Sequence, residues 1–99
     1  MGIALYDNGQ IVRVTALFED ANGVDVDPAT VQLSVLAPSG AMTTVAYGGS
    51  PDEVTKDSVG NYHYDVTADE QGDWFYEWSS TGEGAGVQEG QFMVKASNV

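Results

Sequence analysis

The sequence has no cysteine, which excludes disulfides and thiolate metal sites outright. That fits a protein assembled in a reducing cytoplasm. Positive charge is almost as scarce. Arg13, Lys56 and Lys95 stand against fifteen Asp and Glu residues, giving a formal net charge of −12. Such a surface repels phosphate backbones and anionic headgroups, so neither nucleic acid nor a membrane is an expected partner. No apolar run approaches the roughly 18 residues of a spanning helix. Met1-Gly2-Ile3-Ala4-Leu5-Tyr6-Asp7 lacks the basic start and long apolar stretch of a secretory signal, so none is expected. Histidine occurs once, at His63.

The residues present describe a folded chain. Ninety-nine residues, 42% hydrophobic and 10% aromatic, suffice for one domain with its own core. No internal repeat or linker interrupts them. Helical periodicity is absent, while two-residue alternation recurs. Val12, Val14, Ala16 and Phe18 share one face, with Arg13 and Thr15 on the other. Val31, Leu33 and Val35 alternate with polar residues, as do Tyr62, Tyr64 and Val66. Trp74, Tyr76 and Trp78 form an aromatic stripe expected to anchor the core, with Phe75 on the opposite, exposed face.

Asn22-Gly23, Pro38-Ser39-Gly40, Gly48-Gly49-Ser50-Pro51, Ser58-Val59-Gly60 and Gln71-Gly72 supply turn chemistry between these runs. Strands are expected near 10–18, 31–37, 42–47, 53–57, 61–67, 73–80 and 87–95. About seven short antiparallel strands suit an all-β two-sheet sandwich, since a single sheet would leave one apolar face wet. An open barrel is the alternative. The expected organisation is an N-terminal arm at 1–9, a sandwich domain at 10–95 and a C-terminal tail at 96–99.

Catalysis has little to draw on. His63 lies between two inward tyrosines and is expected on the outward, exposed face of its strand. No G-x-S-x-G motif occurs. Among fifteen acids, chance carboxylate pairs carry no information. The expectation is a non-enzyme with no catalytic residue, no cofactor and no metal. One loop concentrates oxygen ligands: Asp20, Asn22, Asp25 and Asp27 are weak calcium candidates, because calcium takes six to eight oxygens. Their spacing departs from the helix–loop–helix calcium pattern, so a solvated turn at Asn22-Gly23 is the preferred reading. Thr81-Gly82-Glu83-Gly84-Ala85-Gly86 lacks the lysine of a phosphate loop and reads as a connection between the last two strands. The stripe of Trp74, Tyr76 and Trp78 admits a sugar-stacking reading, but its alternation favours burial. A glycan- or host-surface-binding module, resting on the exposed loops and aromatics, is the second class of function.

Several motifs in succession resemble a known group. They are Tyr6-Asp7-Asn8-Gly9-Gln10-Ile11-Val12-Arg13-Val14, Ala16-Leu17-Phe18-Glu19-Asp20, Asp27-Pro28-Ala29-Thr30-Val31, Pro38-Ser39-Gly40, Asp57-Ser58-Val59-Gly60-Asn61-Tyr62, Gly72-Asp73-Trp74-Phe75-Tyr76-Glu77-Trp78 and Glu89-Gly90-Gln91-Phe92-Met93-Val94. Together they look like the small immunoglobulin-like virion structural and accessory proteins of tailed bacteriophages. The stretch 69–76 also resembles the acid–glycine–aromatic corner of immunoglobulin domains, without their disulfide. The resemblance spans nearly the whole chain through scaffold motifs. It implies an immunoglobulin-like fold and a virion protein assembled in the host cytoplasm. The favoured role is capsid decoration, a cement protein on the outer shell bound to the major capsid protein or other virion proteins. A homo-oligomer is compatible with that role. A head–tail joint or tail position is the alternative. Docking is expected through edge-strand pairing or through the terminal segments 1–9 and 96–99.

Overall fold

The alternating runs become strands in the computed structural model, which describes residues 4–49, 53–82, 84 and 86–95. In chain order these are β1 (Ala4–Asp7), β2 (Gln10–Leu17), β3 (Thr30–Leu36), β4 (Met42–Tyr47), β5 (Glu53–Ser58), β6 (Asn61–Ala68), β7 (Gly72–Thr81) and β8 (Gly86–Lys95). The seven expected strands are all present within a residue or two of their expected bounds. They form one mixed sheet in the order β1-β8-β7-β3-β4-β5-β6-β2. The outermost strands, β1 and β2, come into contact, so the sheet curls into a nearly closed, barrel-like shell.

Two features correct the sequence expectations. Ala4–Asp7, inside the expected N-terminal arm, is an eighth strand running parallel to β8 from Ala4↔Phe92 to Asp7↔Lys95. The sheet is also not purely antiparallel, because β4 and β5 pair in parallel at Ala46↔Glu53 and Tyr47↔Val54. Tyr6 ties β1 to the core, its ring edge-on to Phe92 at 5.7 Å. Residues 1–3 and the expected tail at 96–99 lie outside the described residues.

Inward positions form a single core. Val12, Val14 and Ala16 of β2, Val31, Leu33 and Val35 of β3, and Trp74 and Trp78 of β7 are all buried. Trp78 is fully buried, while Trp74 stacks on Phe92 of β8 with centroids 5.6 Å apart and planes 11° apart. Each ring removes on the order of 150–250 Å² from water, so this cluster dominates the core energetics. Tyr76 is half-buried and lies across Gly90, its register partner; a Cβ at Gly90 would collide with the phenol ring. An aromatic covering a cross-strand glycine protects a position that otherwise weakens a strand. Burial thins out in β4 and β5, where only Val45 and Val54 are buried.

Candidate functional site

The thinly buried region opens the shell. β4 pairs with β3 from Gln32↔Ala46 to Leu36↔Met42. On its other side, among the described residues, it pairs with β5 at Ala46 and Tyr47. β6 pairs with β2 along its full length and, among the described residues, with β5 over 61–63. Beside β4 and β6 lies a cleft of about 320 Å³. Val35, Ala37, Val66 and Trp74 supply its apolar lining; Thr43, Asp65, Thr67, Asp69 and Glu70 supply its polar lining. Asp65 is held by Arg13 in a two-point contact at 2.9 and 3.1 Å, which lowers the Asp65 pKa and raises that of Arg13. Glu70 accepts the Ser39 backbone N–H at 3.1 Å, and its carbonyl accepts Trp74 Nε1–H at 2.9 Å.

The opposite face of β3, β4, β7 and β8 bears a second, shallower groove beside Phe75, Leu36 and Met42. These three side chains occupy one register row across β7, β3 and β4. Phe75 is 45% exposed and Met42 63% exposed. Phe75 therefore lies on the outward face expected for it. Trp74 and Trp78 are buried, as their alternation leads one to expect, and present no sugar-stacking surface.

His63 departs from its expected exposure. Its side chain retains only 11% of its accessible surface, and Nδ1 lies 2.6 Å from Asp57 Oδ2. Asp57 sits where the β5–β6 register shifts between Lys56 and Ser58, and its carboxylate reaches back over the β6 ring. Thr15 and Thr55 flank His63 in register. Sequence alternation places His63 outward but cannot show that a bulge residue covers it.

The calcium candidates separate into two unrelated hydrogen-bond systems. Asp20 Oδ1 accepts the N–H groups of Asn22 and Val24, closing the turn at Gly23, whose φ is +79°. Asp27 belongs to the second system. It accepts Lys56 Nζ at 2.6 Å, the Gly60 N–H at 2.9 Å and the Tyr62 hydroxyl at 3.0 Å. Lys56 is the main reason its pKa is lowered. Burial, and then the bond to Asp27, push the Tyr62 hydroxyl up to about 12. Asn22 and Asp25 are exposed loop residues. Among the described residues, no three acidic or histidine side chains converge as a metal site. Asp27 is thus a structural hub, where the sequence reading saw a solvated turn and only a weak calcium candidate. Its spacing from Lys56, Gly60 and Tyr62 gives no local signal. In the glycine-rich connection, Ser80 Oγ donates to the Gly84 carbonyl and accepts the Gly86 N–H.

Comparisons with known proteins speak to this architecture. No protein-family model and no curated protein matches the sequence. Among solved structures, the chain is similar to the filamin domain of Lin-41. The TM-score is 0.71 at 12% identity, over 98% of this chain and 88% of that one. It is also similar to part of a candidate glycoside hydrolase from Bacteroides vulgatus, with a TM-score of 0.62 at 16% identity. That match covers 96% of this chain but only 17% of the hydrolase chain. At these identities the likeness is one of fold.

Proposed function

We propose that the chain is a non-catalytic interaction module with an immunoglobulin-like two-sheet sandwich fold, serving as a virion structural protein that decorates a phage capsid. The likeness to a filamin domain over nearly the whole chain supports the immunoglobulin-like reading. In that reading β5, β6 and β2 form one layer, β1, β8, β7, β3 and β4 form the other, and the short β4–β5 contact is the seam between them. The virion assignment rests on the succession of sequence motifs, and the major capsid protein is the proposed partner.

The observation that carries the interaction reading is the cleft beside β4 and β6, where Val35, Val66 and Trp74 lie next to Asp65, Asp69 and Glu70. Quantitative mass spectrometry of purified phage particles tests the assignment by scaling this chain against the major capsid protein. The expected copy number equals that of the capsid subunit or is a simple fraction of it. A few copies per particle would move the chain to the head–tail joint or tail. Absence from particles would overturn the virion reading and favour a glycan-binding module working through the exposed Phe75 and Tyr47.

A further inference from the structure

We infer that the outward face of β3, β4, β7 and β8 docks an arginine of a partner protein, its guanidinium bridging Glu77 and Glu89 and an apolar neighbour covering Phe75. This rests on the interaction-module reading and names a docking face and the chemistry of what it takes.

The first argument is an unrelieved repulsion. Glu77 and Glu89 are direct register partners on β7 and β8, and both are exposed. Like charges directly opposite each other weaken a sheet. Every lysine and arginine of the chain is engaged elsewhere: Arg13 with Asp65, Lys56 with Asp27 and Lys95 with Asp7. Among the described residues, neither glutamate takes part in an ion pair. Conflicts of this kind are tolerated where function requires them.

The second argument is the row beside the pair. Met42, Leu36 and Phe75 lie side by side across β4, β3 and β7. Phe75 precedes Glu77 by two positions on the same face of β7, a separation of about 6.6 Å along the strand. The three side chains and the two glutamates border a groove of about 390 Å³. An exposed aromatic beside aliphatic side chains offers an apolar contact next to the charge, the usual make-up of an interface anchor.

Geometry and charge select the occupant. Directly opposed Cβ atoms are about 4.5–5.5 Å apart, a span that one planar guanidinium with its fork of N–H donors can bridge. The same plane can lie against Phe75. Lysine brings a point charge without the plane. A second copy of this chain does not fit, because Arg13, its one arginine, is held by Asp65 and its net charge is −12.

The test titrates the isotope-labelled full-length chain with the pentapeptide acetyl-Leu-Ser-Arg-Ser-Leu-amide, and amide chemical shifts are the readout. When extended, its arginine and leucines share one face at the spacing of the rows. One control carries lysine in place of arginine; another carries citrulline, which keeps the shape and loses the charge. Saturable shifts centred on 34–36, 75–77 and 89–91 are expected. Affinity should fall about threefold with lysine and about tenfold with citrulline. Phe75→Ser should weaken the arginine peptide about threefold. The double variant Glu77→Gln, Glu89→Gln should lose the preference for arginine over citrulline without melting at a lower temperature, since it removes the repulsion.

Equal affinity for the citrulline peptide would overturn the inference, as would an undiminished arginine preference in the double variant. So would non-saturating shifts spread over the acidic surface, or no shifts at all. Saturation of this face by maltotriose and not by the peptide would overturn it in favour of a glycan. Concentration-dependent broadening at 75–77 without peptide would overturn it in favour of a second copy. A failed titration with the chain abundant on particles would overturn this inference and leave capsid decoration standing. A saturable, citrulline-sensitive titration with the chain missing from particles would support the docking face and overturn the virion reading.

Discussion

The β7–β8 hairpin and the β4–β5 contact are the two extremes of this molecule. β7 and β8 pair without interruption from Gly72↔Val94 to Ser80↔Gly86, with Trp74, Trp78, Phe92 and Val94 buried on one face. Among the described residues, β4 and β5 pair at only two positions, Ala46↔Glu53 and Tyr47↔Val54. The difference follows from how much apolar surface each strand has to bury. A one-residue slip of β7 would bring the tryptophans out and Phe75 and Glu77 in, so its register is strongly specified. β5 has only Val54 to lose and is weakly held. Where burial specifies register, the shell is closed. Where it does not, the pairing among the described residues is short, and the candidate cleft lies beside it.

Three substitutions probe this contrast. The largest effect is expected from Trp78→Ala in the closed half, which should cost about 3–5 kcal/mol in urea unfolding. A domain of this size has only about 5–15 kcal/mol to lose. A loss under about 1 kcal/mol would show that the tryptophan layer does not carry the fold. Gly60→Ala tests the corner where β5 turns into β6. Gly60 has φ +76°, and an added Cβ would lie 2.7 Å from the Phe18 carbonyl oxygen. The expected loss is about 2–3 kcal/mol, from left-handed strain plus displaced backbone. A neutral result would mean that this corner is as loosely held as the seam beside it.

Tyr62→Phe is the mildest of the three, at about 1 kcal/mol for one lost hydrogen bond to a carboxylate that keeps its other donors. Its clearer signature is pH dependence. The folded Tyr62 pKa, about 12, lies above its ordinary value of 10.0. The associated stability is therefore complete below about pH 10 and lost as pH rises towards about 12. Thermal melts across that window should fall more steeply for the wild type than for Tyr62→Phe. Parallel slopes would remove the tyrosine from the account. Asp27 has the opposite sign: its lowered pKa adds stability above the ordinary carboxylate range, which is lost as pH falls through the folded value.

Legibility in the sequence tracks the same contrast. The strands with alternating apolar residues, β2, β3, β6 and β7, are evident from pattern because each has one face to bury. β1 is missed because four residues are too few to show a period. Its pairing with β8 depends on Tyr6 meeting Phe92 across 86 positions of chain. Pattern also gives no sign that Asp27, Lys56, Gly60 and Tyr62 meet, nor that Asp57 covers His63, since each contact joins separate segments. The cleft is least legible of all. Its lining is drawn from β3, β4, β6 and β7, segments far apart in the chain, and no local pattern joins them.

By itself, the sequence determined an all-β chain with most of its strand bounds, the aromatic layer that anchors it and the acidic surface it presents. These are local or compositional properties: alternation of period two, turn residues and a count of charges. Only the tertiary structure decided that the strands form one mixed, nearly closed sheet, that β1 completes it, and that a cleft opens between β4 and β6. Those features depend on which strand lies beside which. Pairing is set by the summed burial of distant side chains, a quantity that no single stretch of chain contains.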